Sequence, residues 1–297
     1  MGDGELCVIF NPAAGKFRAA QRLEKLRQSW GTRVSFQPTS HSGHAGELAR
    51  EAALSGYAIV AAAGGDGTVH EVANGLLRAQ RPDVRFGIVP IGSANDYAYS
   101  VAAAKKVSGP FTVDVGRVCS PGGREKYFVC CLGLGLNGAV TLESRRIRML
   151  QGMALYGLAT LRALWKHYDC PKMRIVLDDA APWEAPTLMF SVLLGKREGG
   201  FVLAPNAELD DGWFDYLHAG KLSRCQVLRF LPRVALLGPP QDDPRLRQGK
   251  CRRVRLTSEK PLIVHLDGEF FCTPEDGVRE LEIELLPKAL QVEVLTV

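Results

Sequence analysis

The chain has 297 residues, 46% hydrophobic and 23% charged, as expected for one large or two ordinary soluble globular domains, with two as the expectation. Thirty-seven basic against 32 acidic side chains leave a net charge of +5, which suits anionic ligands or an anionic membrane surface and is too mild to imply nucleic acid. The eight cysteines show no C-x-x-C spacing and follow no secretory leader, which argues for reduced thiols in a cytoplasmic protein and against a zinc site.

In chain order, residues up to about 118 alternate strand and helix. Residues 6–10 read as an apolar strand, 19–30 as a helix, 33–37 as a strand, 44–55 as a helix and 59–63 as a buried strand. A helix with Val69, Val72, Ala73, Leu76 and Leu77 on one face follows, then a strand at 86–89. Such alternation predicts a parallel sheet with helices on both faces and ligands at the carboxyl ends of its strands. Beyond Thr112 the runs are short and β-like, at 128–132, 174–177, 188–194, 254–256, 262–266 and 281–285, which predicts a mostly antiparallel second domain. A basic amphipathic helix is expected over 145–166, with Arg145, Arg146, Arg148, Arg162 and Lys166 along it. Arg162, Lys166 and Gln151 keep this segment short of a membrane span. Residues 238–244 read as an exposed connection.

The most informative stretch is Gly64-Gly65-Asp66-Gly67-Thr68, at a strand-to-helix corner. Glycines there let a polyphosphate approach the backbone, and the helix start offers free N–H groups and positive dipole charge. Asp66 is not needed for a turn, and beside phosphate it calls for a cation such as magnesium. Taken alone, the same residues describe a plain Asp-Gly turn. Thr68 and Glu71 have capping-box spacing, and Ser93 and Asp96 repeat it after the fourth strand, where Asn95 is a polar candidate for a ribose or base. The loop Asn11-Pro12-Ala13-Ala14-Gly15-Lys16 lacks the P-loop spacing. Asp267-Gly268-Glu269 reads either as a hairpin turn or as the source of a general base for a hydroxyl attacking a γ-phosphate. Asp210-Asp211-Gly212, with Asp215 beyond, is either an acidic turn or a divalent-ion site using turn carbonyls.

In their order and spacing these five motifs resemble the diacylglycerol kinase catalytic-domain family, which includes soluble bacterial lipid kinases and the sphingosine and ceramide kinases. The resemblance covers nearly the whole chain. It implies an α/β nucleotide-binding domain over 1–118, like that of NAD kinases and phosphofructokinases, and a β-sandwich lipid domain over 119–285, with 286–297 returning to the first. The implied reaction is transfer of the γ-phosphate of ATP, with Mg2+, to a lipid alcohol, diacylglycerol by default, giving phosphatidic acid. Sphingoid bases, ceramide and other lipid alcohols are alternatives, as is a catalytically weak lipid- or nucleotide-binding regulator. Carried over residue by residue, Asn11, Pro12, Lys16, Thr39, Gly64, Gly65, Asp66, Gly67, Thr68, Glu71, Ser93 and Asn95 are nucleotide contacts. Asp66 and Asp96 organise magnesium and phosphate, and Asp267 or Glu269 accepts the proton. Asp211, with the carbonyls of Glu208 and Trp213, matches a structural magnesium site. Ser93-Ala94 replaces the family's threonine-glycine pair, keeping the hydroxyl and losing a flexible glycine. Peripheral contact with the inner membrane face is expected through the basic helix and the apolar run at 132–136. No nucleic-acid partner is expected, and a homodimer is left open.

Overall fold

Alternation of exposed and buried side chains over runs such as 253–258 in the second half of the chain, against near-continuous buried runs such as 59–64 in the first, marks a change in architecture. The computed structural model describes residues 6–14, 24–25, 28, 30, 34–92, 95–104, 109–147, 149–150 and 152–295. Most of the helix expected over 19–30 lies outside the described residues, as do Lys16, Ser93 and Arg148. Strands β1 (Leu6–Phe10), β2 (Val34–Pro38), β3 (Ile59–Gly64) and β4 (Arg85–Pro90) lie parallel in the order β2-β1-β3-β4. Helices α1 (His44–Leu54), α2 (Asp66–Ala79) and α3 (Asp96–Ala104) share the core of one sheet face, through Ala49, Val72 and Tyr97 against Cys7, Ile9, Val60 and Ala62. The opposite face packs Val8, Ala61 and Val89 under Trp30 and Leu295.

The second half runs β5 (Phe111–Cys119), β6 (Glu125–Phe128), β7 (Cys131–Gly135), α4 (Leu136–Ser144), α5 (Gly152–Lys166), β8 (Lys172–Leu177), β9 (Trp183–Pro186), β10 (Met189–Leu193), β11 (Arg197–Glu198), β12 (Phe201–Val202) and β13 (Phe214–Ala219). It continues with α6 (Arg224–Leu236), β14 (Leu246–Cys251), β15 (Arg253–Ser258), β16 (Val264–Leu266), β17 (Glu269–Cys272) and β18 (Glu280–Val294). A six-stranded antiparallel sheet has the order β14-β13-β10-β7-β16-β17. Its Leu132, Leu134, Phe190, Val192 and Phe214 share one core with Met173, Ile175, Val254, Leu256 and Ile283 of the other sheet. Period-two strands bury one face each, and two such faces close on each other as a sandwich. The 15-residue strand β18 joins the halves: it pairs antiparallel with β15 and β5, then parallel with β4 through Val292↔Phe86.

Several local expectations change. The run at 128–132 is not one strand; the chain bends at Val129–Cys130 between β6 and β7. The apolar run at 132–136 is no membrane contact: Leu132, Leu134 and Leu136 are buried, with β7 lying between β10 and β16. The helix expected over 145–166 begins only at Gly152, where φ is +58°. Arg145 and Arg146 follow α4 instead and pair with Glu269 and Glu143. In the connection at 238–244, Gly238 and Pro239 are buried rather than exposed.

The capping box expected at Thr68 and Glu71 does not form, because α2 starts earlier, at Asp66, with Gly65 as its N-cap and no side-chain cap. Glu71 instead crosses to α1, where its carboxylate accepts hydrogen bonds from the amides of Gly43 (2.8 Å) and Ala45 (3.1 Å). A carboxylate on free N–H groups at a helix start is favourable in both hydrogen bonding and dipole energy. Glu71→Ala should therefore lower the unfolding free energy by about 1–2 kcal/mol in urea titration, with Glu71→Gln intermediate. An unchanged midpoint for Glu71→Ala would remove this role.

Candidate active site

The corner after β3 and the loop after β4 are built into each other. Gly64 O accepts from the amides of Ile91 (3.0 Å) and Gly92 (3.1 Å), drawing the second loop over the first. A Cβ on Gly92 would overlap the Cα of Gly65, so the crossing requires glycine. Because α2 starts at Asp66, its carboxylate sits in the first helical turn. Asp66 Oδ2 accepts from the Asn95 amide at 3.0 Å, and Asn95, at φ +53°, donates from Nδ2 to Gly92 O at 2.9 Å. Asp96 opens α3 and accepts from the Gly200 amide at 3.0 and 3.2 Å.

Burial pushes the Asp66 carboxyl up to about 6 and that of Asp96 up to about 7, and the Asp66 charge adds to the rise at Asp96. Two carboxylates in a poorly hydrated space disfavour each other's charge. Asp66 Oδ1 is buried with no hydrogen-bond partner among the described residues. An orphaned carboxylate oxygen, a second carboxylate and two helix starts fit a hard divalent cation bridging to phosphate.

Asp267 and Gly268 form the two-residue turn between β16 and β17, at φ +52° and +88°, so the hairpin reading of this motif holds. The Asp267 carboxylate is buried and accepts from the amides of Val129 (3.0 Å), Cys130 (2.8 Å) and Cys131 (2.9 Å) and from His70 Nδ1 (2.9 Å). These bonds hold the bend between β6 and β7. His70 is fixed in turn by Asn74, whose Nδ2 is 3.5 Å from His70 Nε2 and donates to Tyr127 O at 3.0 Å. Glu269 faces the other way: a Cβ on Gly67 would lie 2.8 Å from its Oε1, while its Oε2 accepts from Arg145 at 2.7 Å. The structure thus brings Asp66, Gly67, Asn95, Asp96, Asp267 and Glu269 together.

Asn11 continues from β1 beside the same corner, its amide donating to Ala63 O at 3.2 Å and its Oδ1 accepting from Ala13 at 2.9 Å. Pro12 is exposed in that turn, and the Thr39 amide donates to Phe10 O at 2.9 Å. Thr68 is buried in the first turn of α2, under Gly64. Glu71 is turned to α1, with both oxygens occupied, and is not part of this cluster. At the acidic turn, Asp211 Oδ1 accepts from the Trp213 amide at 3.0 Å and Oδ2 from Lys250 at 2.6 Å, and the same ammonium reaches Asp215 at 3.1 Å. A lysine placed there supplies the positive charge beside the two carboxylates.

Sequence patterns did not flag a cavity of about 1200 Å³, mouth included, that opens from the cluster into the second domain. Asp66, Asp96, Asp267, Glu198, His265 and Tyr156 line its polar end. Leu188, Leu217, Val227, Phe230, Leu231 and Leu246 line its apolar end. Apart from Asp66, Asp96 and Asp267, no local motif marks these residues, because they converge from four strands, two helices and their loops.

A family model described as the diacylglycerol kinase catalytic domain matches residues 5–115, and one described as the YegS C-terminal NAD kinase beta sandwich-like domain matches residues 131–294. A diacylglycerol kinase of Bacillus subtilis is 30% identical over 284 residues, covering 89% of this chain and 89% of the relative. One from Staphylococcus epidermidis is 27% identical, covering 89% and 85%. The crystal structure of a diacylglycerol kinase from Bacillus anthracis superposes with a TM-score of 0.70 at 20% identity, covering 98% of this chain and 96% of the other. A further Bacillus anthracis structure gives 0.74 at 22% identity, covering 99% and 97%. The structural matches show a shared fold.

The raised carboxyls at Asp66 and Asp96 have a stability consequence. Both groups hold protons to higher pH in the folded chain than in the unfolded one, so the stability they contribute is present below the ordinary carboxylate range and lost as pH rises through 6 and 7. In metal-free buffer, Tm should fall by several degrees between about pH 5 and 8, and Asp96→Asn should flatten that slope. A flat profile in the parent protein would overturn the account of two buried, mutually repelling carboxyls.

Proposed function

Since the chain belongs to the diacylglycerol kinase family, we propose that it is an ATP- and magnesium-dependent lipid kinase that transfers the γ-phosphate to a lipid hydroxyl, with diacylglycerol as acceptor and phosphatidic acid as product. The observation that carries this reading is the continuity of one cavity from the Asp66–Asp96–Asp267 cluster into an apolar interior. A soluble acceptor has no use for that interior. Acyl chains would occupy the wall of Leu217, Phe230 and Leu231, which brings the acceptor hydroxyl up to the carboxylates.

The amides at the starts of α2 and α3 receive the phosphate oxygens, and the glycine contact at residues 65 and 92 keeps side chains out of the way. A magnesium ion held through Asp66 and Asp96 supplies charge neutralisation of the phosphates when bound. Of the two candidates for proton acceptance, geometry favours Glu269. Asp267 already accepts four hydrogen bonds, about the capacity of a carboxylate. Glu269 Oε1 stands beside the α2 start. Positioning and charge stabilisation would account for most of the rate enhancement.

Access from a bilayer is part of the same reading. Helices α5 and α6 line the cavity from inside, and large apolar side chains stand exposed around them: Met149, Met153, Leu161, Trp165, Leu228, Leu236 and Leu237. Arg162, Arg229 and Arg233 are exposed on the same helices. Among the described residues no helix is long and apolar enough to cross a membrane. Apolar side chains interleaved with cations suit shallow insertion into an anionic leaflet, such as the inner face of the cytoplasmic membrane.

Labelled-phosphate transfer from magnesium ATP to a panel of lipid alcohols in mixed micelles tests the activity. Diacylglycerol should be labelled, and Glu269→Gln should lower kcat by roughly 10²–10⁴ with the fold retained. Labelling of a sphingoid base instead would replace the acceptor. Folded, ATP-binding protein that labels no lipid would overturn the kinase reading. In sedimentation with vesicles, the protein should bind anionic lipid more than neutral lipid at low salt, and Leu236→Glu with Leu237→Glu should reduce binding several-fold. Equal binding to both vesicle types would remove the electrostatic component.

A further inference from the structure

A two-residue-per-strand hairpin sits between the loops that carry the carboxylates and touches both. Strands β11 and β12 are joined by Gly199 and Gly200 at φ +60° and +83°. The Gly200 amide is the donor to Asp96. The hairpin's base is tied to α3, where the Lys196 amide donates to Ser100 Oγ at 3.1 Å.

Its other tie runs through Glu198, which is buried at 7% exposure. Glu198 Oε2 accepts from Ser191 Oγ at 2.8 Å, and Asn137 Nδ2 donates to Ser191 Oγ at 2.7 Å. Glu198 Oε1 lies 2.9 Å from His265 Nε2. The Gly268 amide lies 3.3 Å from His265 Nδ1, which makes Nδ1 the acceptor and assigns the ring proton to Nε2, facing Glu198. The chain of bonds therefore runs from Asn137 to Ser191 to Glu198 to His265 and ends on the backbone of the Asp267-Gly268-Glu269 turn. Three members of the hairpin, Glu198, Gly199 and Phe201, also line the cavity, as does His265.

We infer that Glu198 is a positioning residue, which sets the orientation of the Asp267-Gly268-Glu269 turn through His265 while the adjacent Gly199-Gly200 turn sets Asp96. One element thereby fixes the spacing between the metal-side carboxylate and the proton acceptor, and the acceptor lipid lies against that element. Glu198 needs no contact with the reacting atoms for this. A misplacement of about 1 Å at a reacting group is enough to cost roughly 10²-fold in rate. The kinetic half of the inference rests on the lipid-kinase reading.

Glu198→Ala and Glu198→Gln, assayed beside the parent protein for transfer to diacylglycerol and for amide hydrogen exchange, test it. Glu198→Ala should lower kcat roughly 10- to 100-fold, with KM for magnesium ATP and for lipid within about twofold. It should also accelerate exchange at Gly268 and leave α1 amides unchanged. Glu198→Gln keeps an oxygen for His265 Nε2–H and should recover most of kcat and of the Gly268 protection. Unchanged Gly268 exchange in Glu198→Ala overturns the link whatever the activity. A loss of kcat matched by an equal loss of folded protein reduces Glu198 to a structural group and overturns the positioning role. If the parent protein labels no lipid but Gly268 exchange responds as expected, the kinase reading falls and the link from Glu198 to the turn stands.

Discussion

The carboxylate of Asp267 is where the two halves of the site are referred to one another. It binds three consecutive amides of the bend between β6 and β7 and a histidine from the helix that begins at the glycine-rich corner. Without that anion the amides of Val129, Cys130 and Cys131 would point into a buried space with nothing to accept them, at a cost of about 1–3 kcal/mol per unsatisfied group. The bend, the direction of β7 and the position of α2 relative to the second sheet all depend on it. Asp267 adopts a left-handed backbone conformation to reach these partners, and the glycine after it completes the turn.

Against that saturated anion stands the contrast of Asp66. The two residues carry the same chemical group in one cluster, but Asp66 keeps one oxygen without a partner among the described residues. Its raised carboxyl and that of Asp96 record an electrostatic debt left in the folded chain, which a cation and its phosphate would discharge. Stability is given up where ligand binding can restore it. The same logic separates the acidic turn at Asp211, where Lys250 already supplies the balancing charge.

Much of the fold was legible because it rests on periodicity. Buried strands such as 59–63, and the alternating runs that became β8, β15 and β18, announce themselves locally. The glycine turn and Asp267-Gly268 were legible for a different reason, since a close backbone approach in the first and a positive φ in the second restrict the residue types allowed. What could not be read was partnership across long sequence separations. Glu71 has a valid local explanation as a capping residue, but the helix starts three residues early and the carboxylate caps another helix 26 residues away. The apolar run at 132–136 has the composition of a membrane contact and the location of a central strand; only its neighbours β10 and β16 decide the matter. Glu198, His70 and His265 lie in no motif, since their meaning comes entirely from what the tertiary fold sets opposite them.

The long strand β18 carries a mechanical consequence. It passes from pairs with β15 and β5 to a pair with β4 without leaving the sheet, and where it bulges near Lys288 (φ +50°), that residue's amide is pinned by Asp114 at 2.8 Å. A sheet continuous across both halves resists bending about the line between them, because opening that line breaks a row of backbone hydrogen bonds at once. The two halves therefore share one backbone ladder as a floor, with the bulge between Leu286 and Leu290 where it crosses from one to the other. Helices α5 and α6, which line the cavity, stand outside that ladder, so a displacement of either would leave the shared backbone hydrogen bonds intact.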